Sequence, residues 1–123
     1  LYPTQHAVQR FLVAQPDYAK GLPEFFKRKR EVLAASLAKT GFRPIPTQGS
    51  YFMLVDYSEV SQKSDRELAH QLTAEAGVAT VPLSPFFMGT PPEHRLLRLC
   101  FAKEDATLRD AGHRLAAWRP SYL

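Results

Sequence analysis

Arg98 is the residue whose setting asks for a chemical explanation. It stands inside Leu96-Leu97-Arg98-Leu99-Cys100-Phe101, a run whose other members all favour burial. A guanidinium taken out of water is costly unless it is paired and hydrogen-bonded. Two readings are open from the residues alone. In the first, the side chain reaches solvent along its own stem or meets an internal Asp or Glu. In the second, it waits in a dry pocket for a ligand carboxylate, whose two oxygens match the planar guanidinium fork in bidentate geometry. The loop that precedes the run, residues 83–94, would give such a pocket apolar walls from Phe86 and Phe87 and few polar groups.

The other chemistry-bearing residues form no recognisable centre. His6, His70, His94 and His113 lack metal-ligand spacing, and the single cysteine, Cys100, cannot complement them, so no metal site is expected. Ser50 and Ser84 have no nucleophile signature around them. The glycines form neither a phosphate loop nor a dinucleotide fingerprint. Lys27-Arg28-Lys29-Arg30 carries much of the net charge of +4. No aromatic residue interleaves that run, so it reads as a solvated helix face and not as a nucleic-acid platform. Nucleic acid is therefore not expected as a partner. Nor is a membrane, because no apolar run approaches the ~20 residues that span a bilayer. One cysteine rules out an internal disulfide and fits a reducing, cytoplasmic setting.

The elements that must position Arg98 follow from periodicity. A length of 123 residues suits one domain, and 45% hydrophobic with 23% charged residues is the balance of a globular one. Residues 4–14 are predicted to be helical. The chain starts at Leu1-Tyr2-Pro3 with a helix already in progress, which leads us to expect that it is cut from something longer. Pro16 is expected to open a second helix that runs to Lys39 and stops at Gly41. Leu22, Phe26, Leu33 and Leu37 form its apolar stripe, and Pro23 either kinks it or marks its true start.

Residues 43–47 alternate but contain Pro44 and Pro46, which suits a sheet edge. Residues 50–56 are apolar on both faces, as in a central strand. A tight hairpin through Thr47-Gln48-Gly49-Ser50 is expected to join the two. Ser64 and Glu67 have capping-box spacing, and Gly77 closes the helix they begin. Residues 78–82 and 96–102 read as strands. A last helix, Glu104 to Trp118, places Leu108, Ala111, Leu115 and Trp118 on one face, with Glu104 and Asp105 at its positive end. The order α-α-β-β-α-β-β-α predicts an α+β fold, a two-layer sandwich with a small, mostly antiparallel sheet of roughly three to four strands covered by helices.

Three stretches taken together resemble a family: "PTQGSYFMLVDYS" (46–58), "GVATVPLSPFF" (77–87) and "LLRLCFAKEDATLRDAGHRL" (96–115). In order and spacing they are similar to the C-terminal small domain of fold-type I, pyridoxal-phosphate-dependent aminotransferases. The nearest branch is that of the kynurenine, glutamine and methionine enzymes, and "LPEFFKRKREVLAASL" (22–37) extends the likeness. The resemblance implies that Arg98 binds the α-carboxylate of an amino-acid substrate and that Tyr51 walls its pocket. Ser84, Phe86 and Phe87 would belong to a loop at the substrate entrance.

The resemblance also implies what lies elsewhere. Residues 1–15 would be the tail of a helix from a large cofactor-binding domain outside this sequence. The catalytic lysine, the acidic partner of the pyridine nitrogen and the phosphate ligands would belong to that domain. Lys20, Lys27, Lys29, Lys39, Lys63 and Lys103 match no such lysine motif. The expected parent enzyme is a homodimer that uses pyridoxal phosphate to move an amino group from an amino acid to a 2-oxo acid. The chain alone would hold no catalytic residue and be inactive. A stand-alone module that binds small carboxylates or a partner is the alternative.

Overall fold

The structure, a computed structural model, describes residues 1–120 of the chain. Helix α1 spans Tyr2–Ala14, with Pro3 in its first turn, where a missing N–H leaves nothing unsatisfied. Every residue of α1 is exposed. Helix α2 spans Tyr18–Ser36 and starts from Asp17, two residues later than Pro16 predicts. Pro23 lies inside it without ending it. The apolar stripe of α2 faces inward, with Leu33 buried and Phe26 packed on the core.

The exit from α2 differs from expectation. The helix stops at Ser36, because Thr40 turns the chain by placing both its amide (2.9 Å) and its hydroxyl (2.7 Å) on the Leu37 carbonyl. Gly41 is not a left-handed helix stop: only Gly77 and Gly89 have positive φ among the described glycines. Its role is space. A Cβ there would lie 2.7 Å from Val60 Cγ2.

Strand β1, Arg43–Pro44, pairs antiparallel with β2, Phe52–Asp56, through Arg43↔Asp56 and Pro44↔Val55. The connection is therefore residues 45–51 and not a tight hairpin through 47–50. Ile45 still donates to the Leu54 carbonyl at 2.9 Å, and Pro46 then breaks the ladder. The Thr47 carbonyl is taken by Arg30 Nη1 at 2.7 Å.

Helix α3, Asp65–Gln71, opens with the predicted capping box. Ser64 Oγ accepts from the Glu67 amide, and the Glu67 carboxylate accepts from the Ser64 amide. Beyond Gln71 the helix widens into a π-helical turn, Leu72–Ala76, and closes at Gly77 with φ 67°. Strand β3 is only Val81–Pro82, β4 is Leu96–Cys100, and helix α4 is Asp105–Ala117. The sheet order is β1-β2-β4-β3, antiparallel throughout. This is the expected α+β architecture.

Alternation on the two central strands separates the sheet faces. Met53, Val55, Leu97 and Leu99 are buried in the core with Leu33, Leu37, Leu68, Leu72, Phe101, Leu108 and Leu115. Phe52, Leu54, Leu96 and Arg98 fall on the opposite face, where burial is only partial. Helices α2 and α4 cross at Gly112, whose Cβ position would lie 2.5 Å from the Ser36 carbonyl. The basic run of α2 is half structural. Lys27 and Arg28 are exposed, but Lys29 Nζ meets Asp105 Oδ1 at 2.7 Å and Arg30 holds Thr47. The solvated-face expectation therefore applies to only two of its four residues.

Candidate functional site

Arg98 stands at the middle of β4, paired in register with Leu54 of β2 on one side and Val81 of β3 on the other. Strand parity turns it away from the core, since Leu97 and Leu99 take the helix-covered face. Its guanidinium carbon lies 4.7 Å from the Phe52 ring centre and 5.3 Å from that of Phe86. Ring faces attract a cation but offer no lone pair in the plane of a carboxylate. Among the described residues no carboxylate or other acceptor takes a hydrogen bond from this guanidinium. Of the two readings open from the sequence, an internal acidic partner is thus removed. What stands is a half-buried fork with its donors unspent.

The entrance-loop aromatics divide their contacts. Phe86 is 65% exposed and covers Arg98, while Phe87 stacks on the His94 ring at 6.1 Å and 30°. Tyr51 is one step removed from Arg98. Its ring meets Phe52 edge-on at 5.6 Å and Phe26 at 6.5 Å, and its carbonyl accepts from the Phe101 amide at 2.8 Å. It supports the Phe52 ring that Arg98 lies against.

Ser84 is engaged away from the guanidinium. Its hydroxyl donates to the Asp65 carboxylate at 2.7 Å, and its amide donates to Asp65 Oδ2 at 2.7 Å. Asp65 is 4% exposed and also accepts from the Arg66 amide at 2.9 Å. His94 Nε2 approaches it to 3.7 Å. Because His94 Nδ1 accepts from the Leu96 amide at 3.2 Å, the ring proton sits on Nε2, facing Asp65. Burial pushes the Asp65 carboxyl up. The Ser84 hydroxyl, the Ser84 and Arg66 amides and the neighbouring His94 together outweigh burial and hold it below its ordinary value.

Phe52, Asp65 and His94 escaped the sequence reading. Phe52 is legible in principle, since it lies two positions before Leu54, the cross-strand partner of Arg98, and so on the same sheet face. Nothing local marks Asp65 or His94. No group of three metal-ligating side chains occurs among the described residues. A cleft of about 340 Å³ lined by Leu33, Val78, Leu99, Leu108 and Arg114 does not include Arg98. The site is thus an open sheet face on which a half-buried guanidinium lies between two aromatic rings, with the Cys100 thiol exposed two positions further along the strand.

The chain is similar to several known proteins. The model of the family "Aminotransferase class I and II" matches residues 2–115. The methionine aminotransferase of Escherichia coli is 44% identical over 113 residues, which is 92% of this chain and 29% of that protein. Human kynurenine–oxoglutarate transaminase 1 is 29% identical over 125 residues, covering 90% of this chain and 30% of that one. Among solved structures, YbdL from E. coli, described as having a methionine aminotransferase function, superimposes with a TM-score of 0.86 at 43% identity, over 94% of this chain and 30% of its own. N-succinyldiaminopimelate aminotransferase from Mycobacterium tuberculosis gives 0.82 at 31% identity, over 93% and 30%. The chain spans about 30% of the length of these relatives. With residues 2–115 matched, the chain belongs to the class I and II aminotransferase family.

Proposed function

We propose that this chain is the substrate-carboxylate-binding part of a pyridoxal-phosphate-dependent aminotransferase. The observation that carries the reading is Arg98, held between Phe52 and Phe86 on an open sheet face with its hydrogen-bond donors unspent. A substrate α-carboxylate supplies the missing counter-ion and fixes the orientation of the amino acid. Phe52, Phe86 and Leu54 present apolar surface beside that anchor. They suit a substrate with an apolar side chain, in line with the name of the E. coli relative.

Pyridoxal phosphate, when bound, supplies the electron sink for the reaction. The residues of this chain do not fit its attachment. Lys20 pairs with Asp17, Lys29 with Asp105, and Lys63 donates to Gln71. The open sheet face around Arg98 presents Phe52, Leu54, Leu96 and Cys100, and no lysine. The cofactor's anchors are therefore assigned to a large domain beyond this chain. Residues 1–15 are the tail of the helix that leads to it, and the complete enzyme is a cytoplasmic homodimer. No helix among the described residues is long and apolar enough to cross a membrane.

The test is steady-state kinetics on the complete polypeptide that carries this sequence. Arg98→Ala removes a bidentate, charge-assisted anchor and is expected to lower kcat/KM roughly 100-fold. Arg98→Lys should recover only part of it, because an ammonium cannot reproduce the fork. Full activity of Arg98→Ala on amino-acid substrates would overturn the reading.

A further inference from the structure

Asp65 is the buried charged residue among the described residues, and burying a carboxylate is unfavourable unless it is hydrogen-bonded or paired. Helix capping takes one contact, from the Arg66 amide to Oδ1, and does not account for the rest, because Ser64 and Glu67 form the capping box. Its two oxygens instead grip the far-off segment that covers Arg98. At the start of that segment, Ser84 donates both its amide and its hydroxyl to Asp65. Ser84 also begins the short 3₁₀ turn, Ser84–Phe86, which delivers Phe86 over the guanidinium. At the end of the segment, His94 faces the same carboxylate, stacks on Phe87 and accepts from the amide of Leu96, two residues before Arg98.

We infer that Asp65 is a positioning residue for the carboxylate site: it clasps both ends of residues 84–94 and thereby holds Phe86 against Arg98. The inference rests on the reading of Arg98 as the substrate anchor. Asp65 acts on the site through Ser84 and Phe86, a chain of contacts separate from its contribution to stability.

The test uses the complete polypeptide and 3-phenylpropionate, a carboxylate without an amino group, titrated calorimetrically. Asp65→Asn and Ser84→Ala are each expected to weaken binding about tenfold, the scale of a lost charge-assisted hydrogen bond. Ser84→Thr keeps the hydroxyl and should stay within about twofold of the parent. In a Phe86→Leu background Asp65→Asn should add little, because both changes remove the same contact. Additive losses in that double variant would mean a merely structural role and would overturn the inference.

Hydrogen exchange provides a readout independent of ligand. Amides in residues 84–94 should exchange faster in Asp65→Asn and Ser84→Ala while β2 and β4 stay protected. Unchanged exchange overturns the clasp whatever Arg98 does. Conversely, intact 3-phenylpropionate binding in Arg98→Ala would sink the anchor reading, leaving the exchange data to judge the clasp alone.

Discussion

The guanidinium carbon of Arg98 lies 4.7 Å from the centre of the Phe52 ring, one diagonal step across the β2–β4 ladder from its direct partner Leu54. Diagonal neighbours on one sheet face are within reach of aromatic and long side chains, so the contact follows from register. Replacing the ring should loosen the guanidinium without removing it. Phe52→Leu is expected to raise KM about fivefold, the scale of one cation–π contact, with kcat little changed. A KM within experimental error of the parent would show that the ring does not hold the arginine.

The crossing of α2 and α4 at Gly112 gives a stability prediction. A methyl group there would lie 2.5 Å from the Ser36 carbonyl oxygen and 2.9 Å from the carbonyl carbon, which are backbone atoms that cannot swing aside. Gly112→Ala should therefore destabilise the protein by about 2 kcal/mol despite the better helix propensity of alanine. The urea midpoint measures it, and an unchanged or raised midpoint would refute the close approach.

Acid should release two carboxylates at once. Asp56 is held below its ordinary value by the Ser58 hydroxyl and amide, against a burial penalty, with help from Arg43. Asp65 is lowered by the donors described above. A depressed folded-state value contributes stability above the unfolded value of about 3.9 and loses it as pH falls through the lower folded value. Stability should thus decline below about pH 4. The decline should be shallower in Asp65→Asn, as read from denaturant midpoints at a series of pH values.

The basic run of α2 should split into two behaviours. Lys29 and Arg30 make contacts to Asp105 and Thr47 that tie α2 to α4 and to the β1–β2 connection. Lys29→Gln and Arg30→Gln should each lower Tm by a few degrees. Lys27→Gln with Arg28→Gln should leave Tm nearly unmoved, because exposed charges contribute little. Equal losses from both pairs would mean that the run acts as a unit.

The features legible in the sequence are those fixed by near neighbours. The Ser64/Glu67 capping box needs only three residues of spacing, and it forms as read. The apolar run around Arg98 marks a core strand by composition alone. The 45–51 connection departs from a tight hairpin because Pro46 breaks the ladder and a distant donor, Arg30, takes the Thr47 carbonyl. Gly41 was misread because its reason is Val60, which only tertiary packing brings near. Asp65 looks in the sequence like an ordinary first-turn helix residue. Its role depends on Ser84, nineteen positions later, and on His94. The π-helical turn at Leu72–Ala76 gave no signal that a capped, amphipathic helix would not also give.

The segment meets one carboxylate near both ends, through the hydrogen bonds of Ser84 and the approach of His94, and beyond Phe87 its middle lies open. Met88, Gly89 and Thr90 are exposed, and Gly89 turns the chain with φ 80° and open space around its Cα. Insertions or wholesale replacement at 88–92 would leave β4 and Arg98 where they are, since departure and return are set by Ser84 and His94. Mutation can therefore vary the surface beside Arg98 while Arg98 itself stays fixed in β4. A domain built this way can change that surface without refolding.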